Sequence, residues 1–495
     1  MKAKFFVLLV SILSLGSYLC FTHSFKLGLT SDSVQYMFVA ESLLNGDGFV
    51  DEDGIFVSHW PPLYSIMLAL FSKITSTTVQ LAGWYLNAFL IFSLPLITYK
   101  IVKILELKFF YKITLPIIIV TSAAVLRHTY LLSEGLFLSL LLIILLLFLK
   151  FIKHDNIKYL IGSGIVSGLL ILTRYAGIGF ITGCCIYLLF IQPKTIGFKL
   201  RTLIIYSLCT ASLFLLWLLY SYGMDAPRNI REFYFHPVSL HQLFRILKTI
   251  AHWFVSLTFV NAIFLVLIIV GLLKTQITLI PRLIKNNIVT YKPYVRLLTT
   301  LIVSYVLFII VALSFFDSEI PIGNRIFSCV FPLIILLIAL ILNFKIEYKQ
   351  LNLVVSLSFI FLFYHSIDNN KSIWKNHYNN GSGYTSLAWK NSEVLQHAFQ
   401  NNLLDVYSNA YGVMRLHKNI TTTLVPVAKS EQFTQDISFM AKEVALGKRD
   451  ILLFNKMNRG YFVSKEFLLD YFKNYNISYF KDGIIISKPL TTNNL

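Results

Sequence analysis

The chain has 495 residues, of which 56% are hydrophobic and 14% charged, with a mean hydropathy of +0.69 and a formal net charge of +19. One soluble core could not hide that much apolar surface, so soluble-enzyme, disordered, collagenous and disulfide-scaffold classes are excluded. The excess Lys and Arg fall in short loops between apolar runs. That is the pattern of membrane topology signals rather than of a nucleic-acid surface, and no nucleic-acid partner is expected.

A membrane-spanning helix needs about 20 mostly apolar residues. Eleven stretches qualify as predicted spans: 5–22, 79–101, 113–130, 133–151, 159–173, 176–192, 202–222, 251–273, 298–316, 325–343 and 351–367. The run 63–74 is too short to cross and reads as an interfacial or re-entrant helix. Lys2 and Lys4 precede the first span, which lacks a small-residue cleavage site and so reads as an uncleaved anchor. With the N-terminus in the cytoplasm, the segments on that side carry nineteen basic against three acidic residues, while the outer loops are near balance. This asymmetry predicts N-terminus in and C-terminus out, and the composition suggests a bacterium, hence its cytoplasmic membrane. Cys20, Cys184, Cys185, Cys209 and Cys329 all lie in apolar runs, so no disulfide framework is expected.

Residues 368–495 are polar and Asn-rich. There 403–409, 450–455 and 477–480 read as strands, and 431–447 and 464–474 as helices with Ser430 and Ser464 as N-caps. Asp482-Gly483 reads as a turn into a last strand, 484–487. The predicted fold is therefore an all-α multi-pass membrane domain, 1–367, followed by a small extracytoplasmic α/β domain, 368–495.

The outer loops carry the candidate chemistry. Loop 23–78 holds Asp32, Glu41, Asp47, Asp51, Glu52 and Asp53. Asp51–Asp53 sit in a Gly-flanked turn and read as structural. Asp32 opens a segment in which Tyr36, Val39, Ala40, Leu43 and Leu44 recur at helical spacing. It is thus either a helix cap or a carboxylate held at the membrane–water boundary as a general base. His59 and Trp60 precede Pro61-Pro62, which stiffens the start of the 63–74 helix; His59 reads as a substrate contact or a merely interfacial side chain. Arg127 and Glu134 flank the second outer loop, and Arg174, Arg228, Arg231 and Arg325 lie at outer span ends or loops. Each Arg alone could snorkel, but together they suit a phosphate-bearing lipid head group. No Cys/His cluster has zinc spacing, so metal dependence, on a divalent ion or on none, is left open.

The pattern Asp32-x3-Tyr36-x9-Gly46-Asp47-Gly48-Phe49, followed by Trp60-Pro61-Pro62-Leu63-Tyr64, resembles the first outer loop of GT-C glycosyltransferases. That superfamily includes protein O-mannosyltransferases and the lipid A aminoarabinose transferase. The stretches around Glu134, Arg174 and Arg325 are similar to bacterial members, and the likeness covers roughly 1–345 with a looser echo at 406–413. It implies transfer of a sugar from a polyprenyl-phosphate carrier to an extracytoplasmic glycan, lipid or protein acceptor, with inversion. It also implies that Asp32 activates the acceptor hydroxyl. Several members carry a second acidic residue directly after that Asp. Here Ser33 stands there, and Glu134 is the substitute to consider. Arg174, Arg228 and Arg325 would hold the donor phosphate, and Tyr36, His59, Trp60 and Glu134 would shape the acceptor side. The rival readings are a lipid-linked glycan flippase or ligase, and a non-catalytic envelope assembly protein. The near absence of charge in the middle of the spans counts against transport.

Overall fold

The computed structural model describes residues 2–52, 54–224, 234–255, 279–317, 320–343, 349–416, 420–428, 430, 432–457 and 462–489. Arg228, Arg231 and most of the span expected at 251–273 lie outside the described residues. The chain divides into two compact units. One comprises Met1–Leu27 with Tyr36–Asn379, the other Gly28–Gln35 with Asn380–Leu495.

The larger unit is helical. In chain order it contains α1 (Lys2–Thr22), most of α2 (Ser31–Asn45), α3 (Leu63–Thr75), α4 (Val79–Ile104), α5 (Phe109–Thr121), α6 (Glu134–His154), α7 (Ile157–Thr173) and α8 (Gly177–Ile186). Then follow α9 (Ile196–Gly223), α10 (Leu240–His252), α11 (Leu279–Thr290), α12 (Lys292–Phe315), α13 (Asn324–Ile341) and α14 (Lys349–Asn380). Six of these, α1, α4, α6, α9, α12 and α13, are long and apolar enough to cross a membrane. A bent pair, α5 with the 3-10 helix Ala123–Thr129, would make a seventh.

The described residues thus give fewer full spans than the eleven expected, and the differences have local causes. At 113–130 the chain bends by 47°. Ser122 adopts extended backbone and its Oγ accepts from Ala124 N, capping a new helix start. The carbonyl of Thr121 left over at this break accepts from Asn370 Nδ2 at 2.7 Å. Asn87 of α4 donates to the His128 and Tyr130 carbonyls at 2.9 and 3.0 Å, tying the bent segment down. α7 and the run Gly177–Ile191 are apolar but shorter than a full span. The helix containing 351–367 does not stop there but continues to Asn380, so the boundary expected at 368 falls inside α14.

Polar groups within the bilayer need partners inside the protein, and helices associate there by close packing of small residues. α7 meets α9 in this way. A Cβ on Gly164 would lie 2.7 Å from Cys209 Cβ, and one on Gly168 would lie 2.8 Å from the Thr210 carbonyl. The contact is locked by Ser167 Oγ to Tyr206 Oη at 2.7 Å and by Thr210 Oγ1 donating to Gly164 O at 3.2 Å. α8 repeats the four-residue spacing with Gly179 and Gly183 against Phe308 and Ser304 of α12, where Phe180 stacks on Tyr305 with centroids 4.2 Å apart.

The smaller unit is an α/β layer structure. After Asn380 come α15 (Leu387–Lys390), α16 (Glu393–Gln400), β1 (Asp405–Ser408), α17 (Tyr411–Met414), β2 (Thr421–Leu424), α18 (Phe433–Ala445), β3 (Asp450–Phe454), α19 (Lys465–Tyr471), β4 (Tyr475–Phe480) and β5 (Gly483–Pro489). The sheet order is β2-β1-β3-β5-β4, parallel through the first three strands and antiparallel thereafter. Ile451, Leu453, Ile484 and Ile486 face α18 and α19, while Leu452 and Ile485 face α16 and α17. Cover on both faces explains why β3 and β5 read as continuous apolar runs. The strands and helices expected here all form. Two corrections apply: β2, a Thr-rich edge strand, is additional, and Ser430 does not cap α18. Its Oγ accepts from Gln432 N, and Gln432 is the N-cap. Ser464 does cap α19, accepting from Phe467 N at 3.1 Å.

The close α7–α9 approach makes a direct prediction. Gly168→Val should lower the thermal unfolding midpoint of the full chain in lipid nanodiscs, on the order of 1–3 kcal/mol by overpacking. Gly197→Ala, where an added Cβ meets nothing within 4 Å, should be neutral or slightly stabilising.

Candidate active site

At the centre of the candidate site is Glu134, the first residue of α6, where the positive end of the helix dipole favours a carboxylate. Its Oε1 accepts from Arg174 Nη1 at 2.8 Å and from Arg325 Nε at 2.6 Å. Arg174 follows the last turn of α7, where the dipole favours a cation, and Arg325 lies in the first turn of α13. One carboxylate thus gathers three helix ends. Glu134 side-chain exposure is 10%, against 21% and 29% for the two arginines, so the carboxylate is the most buried of the three. Glu134 Oε2 is buried with no hydrogen-bond partner among the described residues.

The group extends through Ser133. Arg174 Nη1 donates to Ser133 Oγ at 3.3 Å, and Tyr36 Oη lies 3.3 Å from the same oxygen. Tyr36 meets Tyr64 of α3 edge-on, with centroids 4.9 Å apart. Tyr36, Glu134, Arg174 and Arg325 are therefore brought together. His59 is exposed and meets Trp60 edge-on at 4.6 Å. The adjoining Ser58 carbonyl accepts from Tyr175 Oη at 3.2 Å, next in the chain to Arg174.

Asp32 lies in the first turn of α2 and is half-buried. At that helix start Thr30 N donates to Ser33 Oγ at 2.9 Å and Ser33 N to Thr30 Oγ1 at 3.4 Å. Ser33 is thus a capping partner. Of the apolar side expected for this helix, Tyr36, Val39 and Ala40 are buried and Leu43 is half-buried, but Leu44 at its end is exposed.

The Gly46-Asp47-Gly48-Phe49 stretch has a structural role. Gly46 and Gly48 take positive φ, and Phe49 packs edge-on against Trp217 of α9 at 5.0 Å. Asp51 closes a hairpin turn, its Oδ1 accepting from Ile55 N and its backbone N donating to Ile55 O. The structural reading of Asp51 therefore holds.

Sequence reasoning passed over α10, having treated 223–250 as a loop. His241, Arg245, Lys248 and His252 recur at helical spacing and line one side of a cavity of about 570 Å³, opposite Ile322, Gly323 and Asn324. Arg245 Nη2 donates to Ile322 O at 3.5 Å, and Trp253 Nε1 donates to Asn324 Oδ1 at 2.8 Å. Asn324 immediately precedes Arg325. Leu240, Phe244 and Leu247 are exposed on α10, as expected of a basic amphipathic helix lying in a membrane interface. The i, i+4, i+7, i+11 spacing of the basic residues was the available signal. Among the described residues no three His, Cys, Asp or Glu side chains come together as a metal-holding group.

Glu134→Gln should leave two half-buried arginines without their shared counter-charge. The expected loss is about 3–5 kcal/mol of stability, read as a lower unfolding midpoint. An unchanged midpoint would show that the carboxylate does not hold this corner together.

Solved structures share this fold. ArnT from Cupriavidus metallidurans bound to undecaprenyl phosphate aligns with a TM-score of 0.60 at 9% identity, over 98% of this chain and 99% of that one. The same protein in the apo state gives 0.62 at 10% identity, over 99% and 100%. The Archaeoglobus fulgidus oligosaccharyltransferase in its apo form gives 0.50 at 11% identity, over 92% of this chain and 70% of that one. No family model matches the chain, and no curated protein matches it by sequence. These alignments show a shared fold over nearly the whole of this chain.

Proposed function

We propose that this chain is a membrane glycosyltransferase that moves a sugar from a polyprenyl-phosphate carrier to an extracytoplasmic acceptor, with inversion at the anomeric carbon. The observation that carries this reading is the Glu134-held pair, Arg174 and Arg325, in a fold shared with a protein that binds undecaprenyl phosphate. Two partly exposed arginines held by one carboxylate suit a lipid phosphate monoester or diester. The basic cavity of α10, also lined by Asn324 next in the chain to Arg325, adds Arg245 and Lys248 to the donor phosphate set. Arg228 belongs to the same proposed set, though it lies outside the described residues.

In the proposed reaction Asp32 takes the proton of an acceptor hydroxyl as that oxygen attacks the anomeric carbon. The bond from that carbon to the phosphate oxygen breaks, and polyprenyl phosphate leaves. Its developing charge is stabilised by fixed cations already in place, which need no reorganisation during the step. Tyr36, His59 and Trp60 would border the acceptor side, while Glu134 serves to aim the arginines.

Two measurements test this. Asp32→Asn should retain carrier lipid but lose turnover of sugar-charged polyprenyl phosphate by about 100-fold or more, the scale of general base catalysis; full turnover in this variant would remove Asp32 from the mechanism. In native mass spectrometry with added undecaprenyl phosphate, the Arg245→Gln/Lys248→Gln double variant should retain far less of the lipid than wild type. Equal retention would exclude the α10 cavity from donor binding.

A further inference from the structure

The smaller unit contains both the C-terminal sheet and the eight-residue segment Gly28–Gln35 that carries Asp32. Its first three strands run in the order β2-β1-β3, all parallel. Open α/β sheets of this order place ligands outside the carboxyl ends of the strands, where the connections reverse between β1 and β3. Here the Asn409 side chain bridges the two strands at that end. Asn409, just after β1, donates from Nδ2 to Phe454 O at 3.0 Å and accepts at Oδ1 from Phe454 N at 2.9 Å. The short helix that follows β1 instead meets the chain's own Asp32 segment.

That segment is fastened on both sides of Asp32. On one side Leu29 pairs with Gly383, and Tyr384 N donates to Leu29 O at 2.8 Å. Gly383 has φ +58, and a Cβ there would fall 2.0 Å from the Leu29 carbonyl oxygen, so only glycine fits. On the other side Arg415, 8% exposed, donates from Nη1 to Gln35 Oε1 at 3.1 Å. Arg415 follows α17 and lies over the Tyr411 ring at 5.0 Å. Between the two fasteners, an added Cβ on Gly412 of α17 would come within 3.4 Å of Ser31 Cα. α17 is itself set in the core by Val413 and Met414.

We infer that the C-terminal α/β domain is a positioning device for the Asp32 segment, with Arg415 and Gly383 as its two positioning residues. This rests on the reading of Asp32 as general base. A carboxylate acting on a hydroxyl proton must be held to a fraction of an ångström, and a loop at a helix start does not supply that alone. The domain supplies it from a rigid sheet, and the place where such sheets take a ligand is given over to the catalytic segment.

The test uses the full chain in nanodiscs, with Arg415→Met, Gln35→Met, the double variant, Arg415→Lys, Gly383→Ala and Asp32→Asn. Hydrogen exchange of amides 30–35 should quicken at least tenfold in Arg415→Met and Gly383→Ala, with β1, β3 and β5 unchanged. Turnover of sugar-charged polyprenyl phosphate should fall at least tenfold in kcat, with KM for the carrier lipid held. The Gln35→Met/Arg415→Met double variant should be no worse than either single one, and Arg415→Lys should recover part of the loss. Unchanged exchange in 30–35 overturns the inference, as does unchanged kcat in Arg415→Met when Asp32→Asn is inactive. A fully active Asp32→Asn overturns the base reading instead, and the exchange data alone then decide whether the domain holds the segment.

Discussion

A single carboxylate at the mouth of an apolar helix bundle organises this molecule. Glu134 is buried, and a buried charge is tolerated only when paired. Its two partners come from the end of α7 and the start of α13, so the pairing fixes the relative places of three helix ends. Ser133 passes the same constraint on to Tyr36, and Tyr36 to Tyr64. The result is a pair of arginines held in place before any ligand arrives, which is the condition for electrostatic stabilisation without reorganisation.

The glycine contacts explain how the surrounding helices come close enough. Lipid offers no hydrophobic drive for one apolar helix to prefer another, so backbone approach and buried hydroxyl bonds must do this. The α7–α9 and α8–α12 contacts use one solution twice, at Gly164 and Gly168 and again at Gly179 and Gly183. Both pairs of contacts involve the two helices on either side of Arg174, so packing and site geometry are coupled in this region.

Much of this was legible in the sequence, for identifiable reasons. Long apolar runs such as 133–151 marked spans because hydropathy is a strong signal, and β3 and β5 were marked by apolar runs between turn residues. Arg174, Arg325 and Glu134 stood out as charged groups at apolar borders, and Tyr36 as part of an apolar stripe at helical spacing. Their shared contact did not, because a three-way ion pair between residues 134, 174 and 325 leaves no local pattern. The bend after Thr121 was hidden because Ser122 looks like any small residue within an apolar run. β2 was missed because an edge strand of threonines lacks alternation, and α10 because a short interfacial helix resembles a polar loop unless its basic spacing is counted. The fastening of Gly28–Gln35 by residues more than 350 positions later is likewise a matter of tertiary structure alone.

The proposed transfer requires that the lipid carrier give up its sugar on this protein. The most direct measurement reconstitutes the full chain in vesicles with isotopically labelled sugar-charged polyprenyl phosphate and follows the label by NMR and mass spectrometry. A transferase should move the label off the lipid, release polyprenyl phosphate in equal amount, and form a new glycosidic bond of the opposite anomeric configuration. A label that changes leaflet but stays bonded to its lipid would contradict it and make the chain a transporter of the intact carrier.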